Sequence, residues 1–579
     1  MASKLESPRD RPHFQPSASP LGGVSNVCPP IASNAVKSPL KNIFSGLSET
    51  ELASVIAHLH QNLNLTASVN ASSWDNTIAG VELLQPNKTD AAPYLDGFGE
   101  VPDRYAKVTI AFSATEEPYI EDYIVGPLPI SNETSIEPLN WPCSKGHSRQ
   151  RNYLPSLDVY KDYLATVSIS IEDILLLMFN RTHRHAPDDT LVVDAAQPLW
   201  IDDGIVTTWN EYSTVPTDKF DDVSILQAGL AFKTNITGRD PSKWSVIGWY
   251  YNGVFYKTTE QFRKAVYTPG FEILPVNIDG EWGSTDPLGE TKPHDNIPPP
   301  LPIQPQGSRF SVDTDENYVE WMDFSFFLTF TRDTGMRLYD IRYKGERIIY
   351  ELGMQEAIAH YAGSHPSQSA QTFVDSCFGF APYTFELVNG YDCPNYATYL
   401  NSKFYHKEKL ETHNNNICLF EMDSGYPIGR HSAQNYVYST KNIYFVLRSI
   451  GTLGNYDYMF DYAFYLDGSI KVTVRASGYI SAAFWAHNSD YGFKIHDAIS
   501  GSMHDHVINY KLDMDINGTA NSLMKVDVVP ATEIEDEGRI NWAANAASMY
   551  SVVNKDSPNK YGEYRGYRLA PGTVHDTFL

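Results

Sequence analysis

Three groups of residues have types and spacings suited to oxidative chemistry at a metal. The first is Tyr456, within Thr452-Leu453-Gly454-Asn455-Tyr456-Asp457-Tyr458. The second is His504-Asp505-His506, which begins 48 residues later, and the third is Asp375, 81 residues before the tyrosine. A phenol with a pKa near ~10 is inert to O2. A neighbouring Cu(II) would favour the phenolate and allow its oxidation. Residues i and i+2 of a strand share a face, so His504 and His506 reach one metal ion together if their segment is extended. Imidazoles suit Cu(II), Zn(II) or Ni(II), and the spacing does not choose among them. Asp375 lies in Gln371-Thr372-Phe373-Val374-Asp375-Ser376-Cys377-Phe378-Gly379-Phe380. Aromatic and small neighbours would bury its carboxylate and raise its pKa, as a general base at neutral pH requires. Each group also has a plain reading: a packed strand tyrosine, a surface or core histidine pair, a hydrogen-bonded structural aspartate.

The pattern Thr-x-x-Asn-Tyr-Asp-Tyr resembles the cofactor motif of the copper-containing amine oxidases. Two further stretches carry the resemblance: Gln304-Pro305-Gln306-Gly307-Ser308-Arg309-Phe310, and His504-x-His506 followed by Leu512-Asp513-Met514-Asp515-Ile516-Asn517-Gly518. It runs from about residue 39 onward and is densest after Gln304. The resemblance implies that Tyr456 is the precursor of topaquinone, that His504 and His506 bind copper, and that Asp375 is the catalytic base. It implies that Tyr361 hydrogen-bonds the quinone and that Asn455 holds its orientation. It pairs Cys393 with Cys418 in a disulfide. It also implies a peripheral calcium site at Asp513, Asp515 and the main-chain carbonyl of Met514, where the residues alone read as a solvated turn. The implied activity is copper-dependent oxidative deamination of primary amines by O2, giving aldehyde, ammonia and H2O2, in a homodimer. The family's third copper histidine lies well beyond its His-x-His strand. The sole later histidine here, His575 in Gly572-Thr573-Val574-His575-Asp576, does not match that motif and is not assigned. The catalytic domain is therefore expected to be incomplete at its C-terminal end. The alternative reading is a non-catalytic or inactive truncated member of the same fold, lacking the third ligand. A β-rich metal-binding or adhesion module would explain the aromatics, but not the ordered Asp, Tyr and His set.

These groups need rigid elements to hold them. The sequence is expected to form small α+β N-terminal domains followed by a large, mainly antiparallel β-sandwich. Residues 1–38, with six prolines, read as a disordered tail. A first small α+β unit is expected over 39–140. There Ser48 and Glu51 form a capping-box pattern ahead of Leu52, Val55, Ile56 and Leu59 at helical spacing. A second is expected over 150–285, with helices near Leu157–Val167 and from Thr259, and a strand near Trp244–Tyr251. A proline-rich linker spans 286–303, with Pro298-Pro299-Pro300-Leu301-Pro302 at its centre. The sandwich is expected over 304–579. Its strands include Tyr318–Phe330, Met336–Tyr343, a hairpin from Tyr456 turning at Asp467-Gly468, and the histidine strand.

Composition narrows the class. A chain of 579 residues exceeds one ordinary core, and 37 Tyr, 27 Phe and 10 Trp with only 20% charged residues suit a well-packed β-rich protein. The net charge of −26 argues against sequence-independent nucleic-acid binding, which needs a basic surface. No apolar run approaches the ~20 residues of a membrane span. The start of the chain carries no secretory signal. The seven Asn-x-Ser/Thr sites and the implied disulfide favour an extracellular or secretory location over that missing signal.

Overall fold

The computed structural model describes residues 36–140, 146–152, 156–217, 223–284, 289–363, 365–490, 492–527 and 548–570. Most of the expected tail, part of the linker, and the segment holding His575 lie outside these residues.

Helix α1 (Glu49–Asn62) starts at the expected capping box. Ser48 Oγ accepts from Glu51 N at 3.2 Å while Glu51 Oε2 accepts from Ser48 N at 2.7 Å. Such a cap stabilises by about 1 kcal/mol. Leu52, Val55 and Leu59 then bury against Val81, Val108 and Ile110 of a five-stranded antiparallel sheet. That sheet reaches beyond residue 140, because Arg149–Arg151 pairs with Tyr119–Leu128. Helix α2 (Lys88–Leu95) leaves the same unit and packs toward the third.

The second unit is a six-stranded sheet covered by the helices Leu157–Ser170, Glu172–Phe179 and Thr259–Val266. The apolar run at Ile174–Phe179 forms a short helix that buries Ile174, Leu175, Met178 and Phe179. Among the described residues, no helix is long and apolar enough to cross a membrane. Residues 289–309 contain no helix or strand, in keeping with a proline-rich connector.

The third unit is a sandwich of two antiparallel sheets. One has seven strands, in which β1 (Glu346–Tyr361) is central. The other has five, including β2 (Lys409–Ser432), β3 (Val437–Leu453), β4 (Tyr456–Tyr465) and β5 (Ile470–Gly478). Strand β6 (His504–Met514) pairs with β1 along its length, from Ile349 opposite Met514 to Tyr361 opposite His504. Inward side chains of both sheets interleave, with Phe326 stacked on Phe464 at 4.8 Å between ring centroids. The segment expected as one strand, Tyr318–Phe330, is two. It breaks at Met322, whose φ of 50° turns the chain between Tyr318–Trp321 and Phe324–Thr331. Alternating aromatics hid that turn, since neither Met nor Asp at its centre is a strong breaker.

Candidate active site

Tyr456 opens β4 immediately after a two-residue hairpin turn. Leu453 lies opposite Tyr456, and Gly454 takes the positive φ of 58° that such turns need at their first central position. On the other side Tyr456 pairs with Gly478 of β5. Strand alternation places Tyr456 and Tyr458 on one face of the five-stranded sheet. The same rule places His504 and His506 on one face of β6, in the other sheet. The packed sheets bring these pairs together. Tyr456 Oη lies 2.9 Å from His504 Nε2, and Tyr458 Oη lies 2.8 Å from His506 Nδ1. The edge of the His506 ring also meets the Tyr456 ring, with centroids 4.8 Å apart.

Tyr361 ends β1 directly opposite His504. Its ring stacks on the His504 imidazole at 4.5 Å, and its hydroxyl donates to Tyr456 Oη at 3.3 Å. Burial, with the Tyr456 hydroxyl as acceptor, pushes the Tyr361 pKa well up, so this phenol stays protonated and able to donate. Asn455 acts on Tyr456 through the backbone. Its side-chain amide donates to the Tyr479 carbonyl, and its own carbonyl accepts from Tyr479 N at 2.7 Å. Two residues on, Ser481 N donates to Tyr456 Oη at 3.3 Å. Gln368 Nε2 and Ser224 Oγ hold the same segment through the Ser481 and Ile480 carbonyls, at 3.0 and 2.9 Å.

Asp375 begins a single 3₁₀ turn after Thr372–Val374 and is 6% exposed. Desolvation raises its pKa from 3.8 to about 6, the nearby Glu356 carboxylate adds to the rise, and a hydrogen bond from Tyr458 opposes it. Glu356 is itself held by Ser376, whose N donates at 3.1 Å. Tyr458 thus stands between the carboxylate of Asp375 and the ring of His506. Tyr458 closes the quoted motif but was given no role, and neither Ser481 nor Glu356 stood out in the sequence. Tyr458 was legible in principle, since it repeats the i, i+2 spacing of the histidines opposite.

The donor set suits a metal. His504 Nδ1 lies 3.0 Å from the Ser502 carbonyl, which as a pure acceptor fixes the proton on Nδ1 and leaves the Nε2 lone pair facing Tyr456. His506 Nδ1 is engaged by Tyr458, which leaves its Nε2. Partners of this kind on the second ring nitrogen are typical of metal-binding imidazoles. Desolvation, with His504 beside it, lowers the His506 pKa, keeping that ring neutral as a ligand must be. Among the described residues, no cluster of three or more His, Cys, Asp or Glu side chains gathers around a possible metal position.

The disulfide is formed. Cys393 and Cys418 are bonded, with Cα atoms 6.7 Å apart, and the bond closes a 25-residue separation. Such a loop is worth roughly 3 kcal/mol in the chain-entropy model. The calcium expected at Asp513, Met514 and Asp515 does not fit. Lys88 Nζ lies 2.6 Å from Asp513 Oδ1 and also binds Asp515 Oδ1. Arg347 Nε donates to Asp515 Oδ2 at 2.9 Å, and the Met514 carbonyl accepts from Asn521 Nδ2 at 3.1 Å. The protein's own cations and donors already engage all three residues.

Comparison with known proteins bears on the family and the fold. The family model described as copper amine oxidase, enzyme domain, matches residues 311–579, and a domain of unknown function (DUF1965) matches residues 222–290. The chain is 42% identical over 565 residues to copper amine oxidase vicK1 of Bipolaris victoriae (strain FI3), covering 93% of this chain and 78% of that one. It superposes on the crystal structure of Aspergillus nidulans amine oxidase with a TM-score of 0.89 at 48% identity, covering 94% of this chain and 77% of the other. For the Pichia pastoris lysyl oxidase the TM-score is 0.84 at 32% identity, with 92% and 76% covered.

Proposed function

The chain belongs to the copper amine oxidase family, and from that premise we propose that it oxidises primary amines with copper on His504 and His506 and a topaquinone made from Tyr456. The observation that carries this reading is the Tyr456 hydroxyl, 2.9 Å from a histidine whose neighbour in the His-x-His pair faces the same ring. Bound copper would favour the Tyr456 phenolate and, with O2, its conversion to an electrophilic quinone able to accept the amine's electrons.

The side chains around it would do the rest. Asp375, with its raised pKa, would take the α-proton of the bound amine near neutral pH. Tyr361 and the Ser481 amide would donate to the oxygen that begins as the Tyr456 hydroxyl, fixing the ring's orientation. Tyr458 would hold Asp375 and His506 in register. The products would be an aldehyde, ammonia and H2O2. The disulfide supports an oxidising, secretory or extracellular location. Strands β2 and β3 run on past their pairing with β4, with Tyr426, Tyr436 and Tyr438 exposed, which supports a homodimer.

The test adds Cu(II) to the purified chain in air, then phenylhydrazine, and follows the visible spectrum and the mass of the Tyr456 peptide. A coloured adduct on that peptide, absent in Tyr456→Phe, is the expected result. Folded, copper-loaded protein with no adduct would instead establish the non-catalytic reading of the fold.

A further inference from the structure

Helix α2 has Asp90 in its first turn, where the dipole favours an acid, but its two end charges have the opposite sign. Lys88 is its first residue and Asp96 its C-cap. The helix dipole disfavours a cation at the N-terminus and an anion at the C-terminus. Both charges are satisfied by the sandwich instead. Lys88 Nζ lies between the carboxylates of Asp513 and Asp515, at 2.6 Å from the first and in direct contact with the second. The face of the Tyr350 ring lies 5.0 Å below the ammonium. At the other end Asp96 accepts from Arg347 at 2.8 and 3.0 Å and from Arg342 at 3.1 Å, while Arg342 also donates to the Leu95 carbonyl at 2.9 Å. Arg347 closes the circuit, because its Nε donates to Asp515 Oδ2 at 2.9 Å.

We infer that Lys88 is a tethered cation: its ammonium stands where a divalent ion would sit between Asp513 and Asp515, and it joins the first small unit to the C-terminal end of strand β6. The charges support this directly. The side chain of Asp515 is 2% exposed, so its carboxylate must be neutralised in place. Lys88 and Arg347 do so, one on each oxygen. The Met514 carbonyl, the remaining oxygen of a calcium site here, accepts from Asn521. A divalent cation would have to displace Lys88 and leave its ammonium unpaired. The link is also mechanical, since β6 carries His504 and His506 at its opposite end. The inference concerns a salt-bridge junction and holds whether or not Tyr456 is modified.

The experiment is a calcium titration of the full chain, stripped with EGTA, followed by thermal unfolding and equilibrium dialysis with CaCl2 alone as probe. The wild-type chain is expected to melt at the same temperature with and without millimolar calcium. K88A, which removes the ammonium and opens its space, is expected to melt several degrees lower in EGTA and to recover part of that loss in calcium. A wild-type melting temperature that rises with calcium, with the rise abolished in D513N, would overturn the inference. So would a K88A protein that melts like wild type. If K88A does not fold, the wild-type titration with D513N still decides.

Discussion

At the residue scale, the base role proposed for Asp375 ties rate and stability to one carboxylate. Desolvation raises its pKa from 3.8 to about 6, a shift of roughly 3 kcal/mol. The fold holds this proton more tightly than the unfolded chain does. The stabilisation is therefore complete below pH 3.8 and is lost as pH rises through about 6. Above that range the ionised, buried carboxylate costs the fold about 3 kcal/mol. Asp375→Asn should lower turnover by about 10²–10⁴-fold while the quinone still forms. The same variant should melt above wild type at pH 8, with the gap closing as pH falls toward 4. Equal melting temperatures at pH 8 would contradict the desolvated site. Tyr458→Phe tests the neighbouring link. Tyr458's hydrogen bond opposes the raised pKa of Asp375, so its loss should move the acid limb of kcat/KM to higher pH. Loss of the contact to His506 should also weaken copper affinity by about 10–100-fold. An acid limb that stays in place would sink the bridging role.

At the scale of elements, the site depends on how closely β4 and β5 approach. Gly478 sits opposite Tyr456 with φ of 89°, and a Cβ there would come 2.4 Å from the Asn455 carbonyl. Gly478→Ala must therefore shift the Asn455 backbone or unpair the strands. Its expected signature is impaired quinone formation with copper binding retained, checked by the phenylhydrazine spectrum at equal copper content; normal formation would show that the strand pair tolerates the shift. Strands and the residues on them were the most legible part of this protein. The i, i+2 rule joined His504 to His506, and Asp467-Gly468 marked the return into β5. What the sequence hid depends on which faces meet across the sandwich. Tyr458 closed the motif without a role until β4 faced β6. Ser481 acts through a main-chain amide, which no side-chain pattern announces. The aspartates at the end of β6 looked solvated or metal-binding, because nothing near them in sequence points to Lys88, 425 residues away from Asp513. Contacts between distant units are set by packing alone, and local periodicity carries no record of them.

At the scale of the whole molecule, β2 and β3 run on past the sandwich as a two-stranded arm. The arm carries Tyr426, Ile428, Tyr436, Val437 and Tyr438 at 48–64% exposure, although many of the described aromatics are buried. A two-stranded ribbon is at best marginally stable in water, and apolar side chains along one mark a surface that another body covers. The homodimer proposed for this chain would supply that body. A symmetric pair would bury each arm against its partner without exposing a new edge. Light scattering coupled to size exclusion should then give twice the chain mass of 65.0 kDa. Replacing Tyr436 and Tyr438 together with Asp would place charge in the covered surface. That double variant should elute at the monomer mass with its β-sheet spectrum unchanged, because neither residue packs into the sandwich core. A wild-type chain at the monomer mass would reject the homodimer, and the arm's apolar side chains would then call for a different partner. A double variant that remains dimeric would move the interface off the arm and onto another face of the sandwich.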